Sequence, residues 1–328
     1  DGSITAWGHS SNGGSGAPSS GTYVNVFSTQ QAFAALNASG HITAWGSSSN
    51  GGSGAPSDNG YTTIVSTSRA FAALKADGSI TAWGNTNYGG SGAPSGTGFV
   101  KLFPGYYAFA ALNASGHITA WGHSSYGGSD APTDNGYVKI FSTYYAFAAL
   151  KDDGSITAWG DSEYGGCNVA EAGYICAPAD NGYVNIFSIN GAFAALKDDG
   201  SITAWGDSSN GGSGAPTDDG YTSIFSAYYA FAALNASGHI TAWGRSDYGG
   251  DNAPTTGTYA TIVSTAKAFA AVPQATSYAY GPANVNATGT GYAIARISGT
   301  SQRKVVRRKV LTADSNLVTI SDGDFRQA

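Results

Sequence analysis

One pentapeptide constrains this chain more than any other feature in it. Ile-Thr-Ala-Trp-Gly recurs with its tryptophan at Trp7, Trp45, Trp83, Trp121, Trp159, Trp205 and Trp243, which are all seven tryptophans of the 328 residues. Five of the intervals are 38 residues and one is 46. A fixed period near forty, rich in β-branched and aromatic residues and punctuated by glycine, belongs to a propeller or solenoid whose units bury their apolar faces against one another. Helical spacing of apolar residues is absent, so the predicted fold class is all-β.

Each period has a constant order. In 32–46 two short apolar runs flank a polar tip that ends in Gly40, where a positive φ is needed, and this reads as a β-hairpin. After Trp-Gly comes a polar loop ending in Gly-Gly, then Ala-Pro (Pro18, Pro56, Pro94, Pro132, Pro178, Pro216, Pro254), then a strand such as Tyr137-Val138-Lys139-Ile140-Phe141. Proline cannot donate to a ladder, so its fixed place marks a loop or strand edge. The repeat therefore carries three or four short strands, one blade. The two ends are out of phase. The chain opens on Ser3-Ile4-Thr5-Ala6-Trp7, a second hairpin arm, and the last repeat stops at Ala268-Phe269-Ala270-Ala271-Val272, a first arm. Pairing of these N-terminal and C-terminal strands predicts a closed seven-bladed β-propeller over 1–272, with no open sheet edge between first and last blade. A small β-rich, basic C-terminal segment or the start of a further module follows over 273–328.

The glycine turn, the apolar strand ending in Trp-Gly, the polar loop with glycine, the proline and the returning strand into Ala-Phe-Ala-Ala-Leu together resemble the repeats of the regulator of chromosome condensation family. Its bacterial secreted members, which include propeller-type β-lactamase inhibitory proteins, share the Ala-Trp-Gly motif and a similar repeat length. The resemblance covers residues 1–272 and implies a propeller. The Gly-Gln-Leu-Gly loop usual in the family and the His-Ser before its inner strand are absent here. That argues against a nuclear role. In the inhibitory members aromatic residues contribute to the binding face, which implies a binding role for the variable pair of residues described below.

Charge and cysteine content narrow the setting. Asp, Glu, Lys and Arg make up only 11% of the chain, so solubility falls to Ser, Thr, Asn and Gly, a composition familiar in secreted or surface-displayed proteins. Position 1 is not methionine, which reads as a processed or excised chain. No apolar run approaches the roughly 20 residues needed to span a membrane. Cys167 and Cys176 flank the one insertion, and a pair closing a short extra loop reads as a disulfide formed in an oxidising compartment. No further ligands cluster there for a metal. Residues 1–272 carry a net charge of −10 and residues 273–328 a net of +4. An acidic propeller argues against a nucleic-acid surface, since phosphate binding needs clustered Lys and Arg. In the tail, Tyr278–Pro282 reads as a turn and Tyr292–Ile297, Lys304–Leu311 and Asn316–Ile320 as strands, fit for self-association by strand addition.

Against a background of near-identical repeats, two positions vary. The pair before each Ala-Phe-Ala-Ala strand is Gln30-Gln31, Ser68-Arg69, Tyr106-Tyr107, Tyr144-Tyr145, Asn190-Gly191, Tyr228-Tyr229 and Ala266-Lys267. Symmetry should gather these on one face, with Arg69, Tyr106, Tyr107, Tyr144, Tyr145, Tyr228, Tyr229 and Lys267 as its recognition residues. The second position lies four residues after Trp-Gly and is Asn12, Asn50, Tyr88, Tyr126, Tyr164, Asn210 or Tyr248. Its tyrosines are secondary candidates, because tyrosine offers a large apolar area and a hydroxyl at low entropy cost. They could equally pack between blades. His9 and His123 follow Trp-Gly at a site elsewhere held by other polar residues, which reads as solvent-facing. No histidine stands with an acid and a nucleophile in a recognisable motif, so no catalytic residue, metal or cofactor is expected. These observations together point to an extracellular or cell-surface binding or assembly module, adhesin-like or filament-forming. It would recognise a protein or glycan through the tyrosine-rich face, with no nucleic acid and no membrane insertion. The alternative is a secreted inhibitor of an extracellular enzyme.

Overall fold

The structure, a computed structural model, describes residues 2–168 and 173–274 and the backbone of Tyr292–Arg296 and Arg303–Arg307. The chain divides into two units, 1–271 and 272–328. In the first unit each repeat folds into an antiparallel three-stranded sheet. The first sheet is Tyr23–Ser28, Ala32–Asn37 and Ile42–Gly46, paired in that order, and five more sheets follow at the same positions of the repeat. In each the hairpin register is the same, Ala32↔Gly46, Phe33↔Trp45, Ala34↔Ala44, Ala35↔Thr43 and Leu36↔Ile42 in the first. A bulge after the first residue of the opening strand shifts its register in every one of the six. The seventh sheet has two strands, Tyr259–Ser264 and Phe269–Pro273. The architecture is thus all-β, six three-stranded sheets and a partial seventh, consistent with a β-propeller. At the N-terminal end Ile4–Gly8 forms no strand and Trp7 is 85% exposed.

Alternation along the middle strand explains how the sheets join. Successive side chains point to opposite faces of a sheet. Ala32, Ala34, Leu36 and Ile42 of the first sheet pack on Tyr61, Ile64, Phe71, Ala73 and Trp83 of the second. The same set recurs between the second and third sheets and on to the fifth and sixth. Alanine lets the sheets approach, and the large ring fills the space between them. In all six complete sheets the phenylalanine of the middle strand stacks on the tryptophan of the third, with centroids 5.1–5.3 Å apart. Each indole N–H donates to the carbonyl of the glycine that ends the preceding loop, at 3.0–3.1 Å. The buried nitrogen of a large apolar side chain is thereby satisfied.

The hairpin glycine has a second reason beyond its φ. Gly40 adopts φ +78°, and a Cβ there would lie 2.5 Å from the backbone nitrogen of Tyr61 in the next repeat. That nitrogen donates to the Gly40 carbonyl at 3.1 Å, so the turn is also an inter-sheet contact. Tyr61 itself is buried and bonds Thr81 and Asp58 through its hydroxyl, while Lys75 pairs with Asp58 and lies over the Tyr61 ring. This group recurs as Tyr137, Asp134, Lys151, Thr157 and as Tyr183, Asp180, Lys197, Thr203.

The insertion is closed by a Cys167–Cys176 disulfide. Asn168 uses its side-chain amide to bond both the N–H and the C=O of Ala158, and Ile175 bridges to Gly206, so the extra loop spans the edges of the fourth and fifth sheets. In the second unit Tyr292–Arg296 and Arg303–Arg307 form an antiparallel pair, at two of the three strands expected from sequence. The expected turn at 278–282 and strand at 316–320 lie outside the described residues.

Candidate functional site

The variable pairs are gathered by the backbone itself. In five of the seven pairs the first residue donates its N–H to the carbonyl of the matching residue in the next repeat: Gln30 to Ser68 at 3.0 Å, Ser68 to Tyr106 at 3.2 Å, Tyr144 to Asn190 at 3.0 Å, Asn190 to Tyr228 at 3.2 Å and Tyr228 to Ala266 at 3.0 Å. These bonds bring positions some forty residues apart in sequence into an arc around a depression of about 500 Å³. Its lining includes Gln30, Ser68, Tyr106, Thr143 and Tyr144.

Around that arc ten tyrosines form one continuous network. Tyr106 stacks on Tyr144 with centroids 4.6 Å apart, and Tyr144 meets Tyr228 edge-on with their hydroxyls hydrogen-bonded. Outside these, Tyr107 lies between Tyr88 at 4.8 Å and Tyr126 at 4.9 Å and stacks on Tyr145 at 5.5 Å. Tyr145 in turn contacts Tyr126 and Tyr164. Tyr228 contacts Tyr229, which contacts Tyr248. Primary and secondary candidates therefore belong to one surface. The second residue of a pair reaches the turn tyrosine of its own repeat and, for Tyr107 and Tyr145, also that of the preceding one. Offset and edge-on ring pairs of this kind each contribute about 0.5–1.5 kcal/mol beyond area burial, which fixes the rings relative to one another.

Cations mark the margins. The Arg69 guanidinium lies 5.1 Å from the Tyr88 centroid and the Lys267 ammonium 5.3 Å from that of Tyr248. Arg245, which no sequence argument singled out, sits over both Tyr229 and Tyr248 at 5.1 and 4.9 Å and pairs with Asp247. Gln30 donates to the Tyr106 hydroxyl at 2.7 Å, and Gln31 accepts from Asn50 at 2.6 Å. His123 departs from the solvent-facing reading. It is half-buried and stacked on Tyr126 at 4.3 Å, because the loop residue after Trp-Gly turns toward the tyrosines once the turn carries Tyr126. Arg245 and His123 occupy the same position of the repeat. A charged or aromatic residue there, next to a turn tyrosine, was the available signal.

Burial raises the pKa of four of the ten phenols. Burial, followed by the neighbouring Tyr145, Tyr88 and Tyr106, pushes Tyr107 up to about 12. Tyr144 is raised by burial and by its hydrogen bond to Tyr228. Burial also raises Tyr164 and Tyr229. The face is a half-buried aromatic sheet with hydroxyl groups and a cationic margin. Tyr228 is its most open member, 38% exposed. Among the described residues no group of three or more His, Cys, Asp or Glu side chains could hold a metal ion.

No family model and no curated protein matches the chain. Solved structures similar to it include the entire ectodomain of the Physcomitrella patens receptor kinase CR4, 17% identical over 86% of this chain and 72% of that one, with a TM-score of 0.46. The CRINKLY WD40 ectodomain of the Arabidopsis thaliana receptor kinase ACR4 is 15% identical over 84% of this chain and 90% of its own, with a TM-score of 0.44. Yeast RCC1 (Prp20), in a structure with Kap60, is 16% identical over 92% and 81%, with a TM-score of 0.43. At these identities and scores the likenesses carry nothing about partners or activity.

Proposed function

We propose that this chain is an extracellular or cell-surface binding module that recognises a protein or glycan through its tyrosine face, with no catalytic role. The observation that carries the reading is the single network of ten tyrosines. The repeats are near copies, yet the tyrosines at their two variable positions meet on one surface. Aromatic rings whose conformations are already fixed lose little entropy on binding. The disulfide-closed insertion supports an oxidising location. As part of the same reading the sheets make a closed seven-bladed propeller of the bacterial secreted type, its last blade completed by pairing of the chain's own N-terminal strand at 3–7 with its C-terminal strand at 268–272. Adhesion is the form we favour, and inhibition of a secreted enzyme would be the same docking with an enzyme as partner. The test is a glycan array and a panel of purified extracellular proteins probed with the full chain and with a Tyr106→Ala/Tyr144→Ala/Tyr228→Ala variant of unchanged circular dichroism. Binding that weakens at least about a hundredfold supports the face, given about 1–3 kcal/mol for each aromatic anchor removed. Binding that survives the triple change removes it.

A further inference from the structure

We propose that the depression inside the arc is a site for a neutral saccharide, one or two sugar units at the end of a glycan. The inference rests on the tyrosine face being a binding surface and names the ligand class that its centre takes. Ten of the thirteen residues that line the depression carry a hydroxyl and none is charged; the other three are Gln30, Gly105 and Ile189. Its volume of about 500 Å³ falls in the range of small-ligand sites. The cations of this surface, Arg69, Arg245 and Lys267, stay at the margin over the outer rings. An ion entering the depression would give up water and meet no counter-charge. A purely apolar ligand would strip water from the hydroxyls and offer nothing in return.

The hydrogen bonds already made there separate a sugar from a peptide. The backbone N–H groups of Gln30, Ser68 and Tyr144 bond the next repeat, and those of the residues before them, with Gly105 and Ile189, bond the alanine that opens each middle strand. No strand edge is left in the depression for a peptide to extend. Thr29, Thr67 and Thr143 are spent as well, each donating its hydroxyl to the backbone carbonyl of Asn50, Tyr88 or Tyr164. Side chains supply what remains. Ser66, Ser68 and Ser142 donate to backbone carbonyls and keep their oxygens as acceptors. Ser28 and Ser188 make no side-chain hydrogen bond among the described residues, so each can both donate and accept. Gln30 donates to the Tyr106 hydroxyl at 2.7 Å, which leaves the Gln30 side-chain carbonyl as an acceptor and the Tyr106 O–H as a donor. Donors and acceptors are thus mixed over a small area, a pattern that neighbouring sugar hydroxyls satisfy because each is donor and acceptor at once. Tyr106 and Tyr144, stacked 4.6 Å apart, give the fixed aromatic wall on which the C–H face of a pyranose packs.

Ligand-observed NMR of the full chain tests this, with the methyl glycosides of glucose, galactose, mannose and N-acetylglucosamine and the disaccharides cellobiose and lactose, followed by calorimetric titration of those that bind. The expected result is saturable binding of at least one of them with a Kd on the order of 1 mM, the range open to so small a polar ligand. Ser28→Phe, at an exposed lining residue, should abolish that binding by filling the depression while circular dichroism stays unchanged. Gln30→Ala, also exposed, should weaken it about threefold or more through the lost hydrogen bond, and it decides the matter if Ser28→Phe fails to fold. No binding of any of these sugars overturns the proposal, as does binding confined to sialylated or sulfated glycans or binding that both variants leave unchanged. A protein partner that is lost in the Tyr106→Ala/Tyr144→Ala/Tyr228→Ala variant, with no saccharide bound, overturns the saccharide site and leaves the tyrosine face standing. A chain that binds neither overturns both.

Discussion

Replacing Trp205 by alanine tests the packing argument most directly. Trp205 is fully buried, stacks on Phe193 at 5.1 Å and 23°, and donates to the Gly165 carbonyl at 3.1 Å. Truncating a buried tryptophan typically removes about 3–5 kcal/mol. The stacked pair supplies about 1 kcal/mol of that, and the Gly165 carbonyl, left without its donor, accounts for another roughly 1–3 kcal/mol of it. A loss of about 4 kcal/mol is therefore expected. Trp205→Phe keeps the ring contact and loses the donor, so it should lose about half as much. Trp7→Ala, at a side chain 85% exposed, should change stability by less than about 0.5 kcal/mol. Urea denaturation followed by far-ultraviolet circular dichroism gives all three. Because neighbouring repeats unfold in partly separate steps, the comparison is made on the first transition. A Trp205→Ala protein within about 1 kcal/mol of the parent would refute the claim that these tryptophans hold the sheets together.

Further outcomes follow from local geometry and charge. Gly116→Ala should cost about 2 kcal/mol or more in urea, since φ is +77° and the new Cβ would lie 2.6 Å from the Tyr137 nitrogen. Gly136→Ala, at φ +87° with nothing near, should cost only about 1 kcal/mol. Stability should fall at both ends of the pH scale. Asp58, Asp134 and Asp180 are held below the ordinary 3.8, chiefly by their lysine partners, so their contribution is present above that value and lost as pH falls through the lower folded one. Tyr107, Tyr137 and Tyr183 are pushed up to about 12, chiefly by burial, so theirs is present below pH 10 and lost as pH rises toward 12. Tyrosinate absorbance should accordingly show a late-ionising set that titrates together with loss of circular dichroism. Reduction of Cys167–Cys176 should destabilise the surrounding sheets by about 2–3 kcal/mol, the chain-entropy value for so short a loop, measured by urea denaturation with and without reductant.

Local patterning made much of the fold legible from sequence alone. The period of the Ile-Thr-Ala-Trp-Gly motif, the hairpin of 32–46, the strand at 137–141 and the cysteine-closed insertion all rest on near-neighbour chemistry, and each has its counterpart in the structure. Alternation along a strand is decided by the backbone, and a glycine turn by φ, so both can be read before any tertiary contact is known. The candidate site was legible only in part. Sequence could mark Tyr107 and Tyr88 as variable positions 19 residues apart, but not that their rings stack at 4.8 Å. It gave no reason to bring Arg245 over Tyr229 or His123 onto Tyr126.

Those contacts depend on how far each sheet is rotated against the next and where its loop then falls. That rotation is a property of the packed interface between repeats, not of any one repeat. The two ends show the same division. The sequence by itself determined that 3–7 has the pattern of a second hairpin arm and 268–272 that of a first. Only the tertiary structure decided that Trp7 stands exposed and that Phe269 lines a cavity, because burial is fixed by what packs on either side.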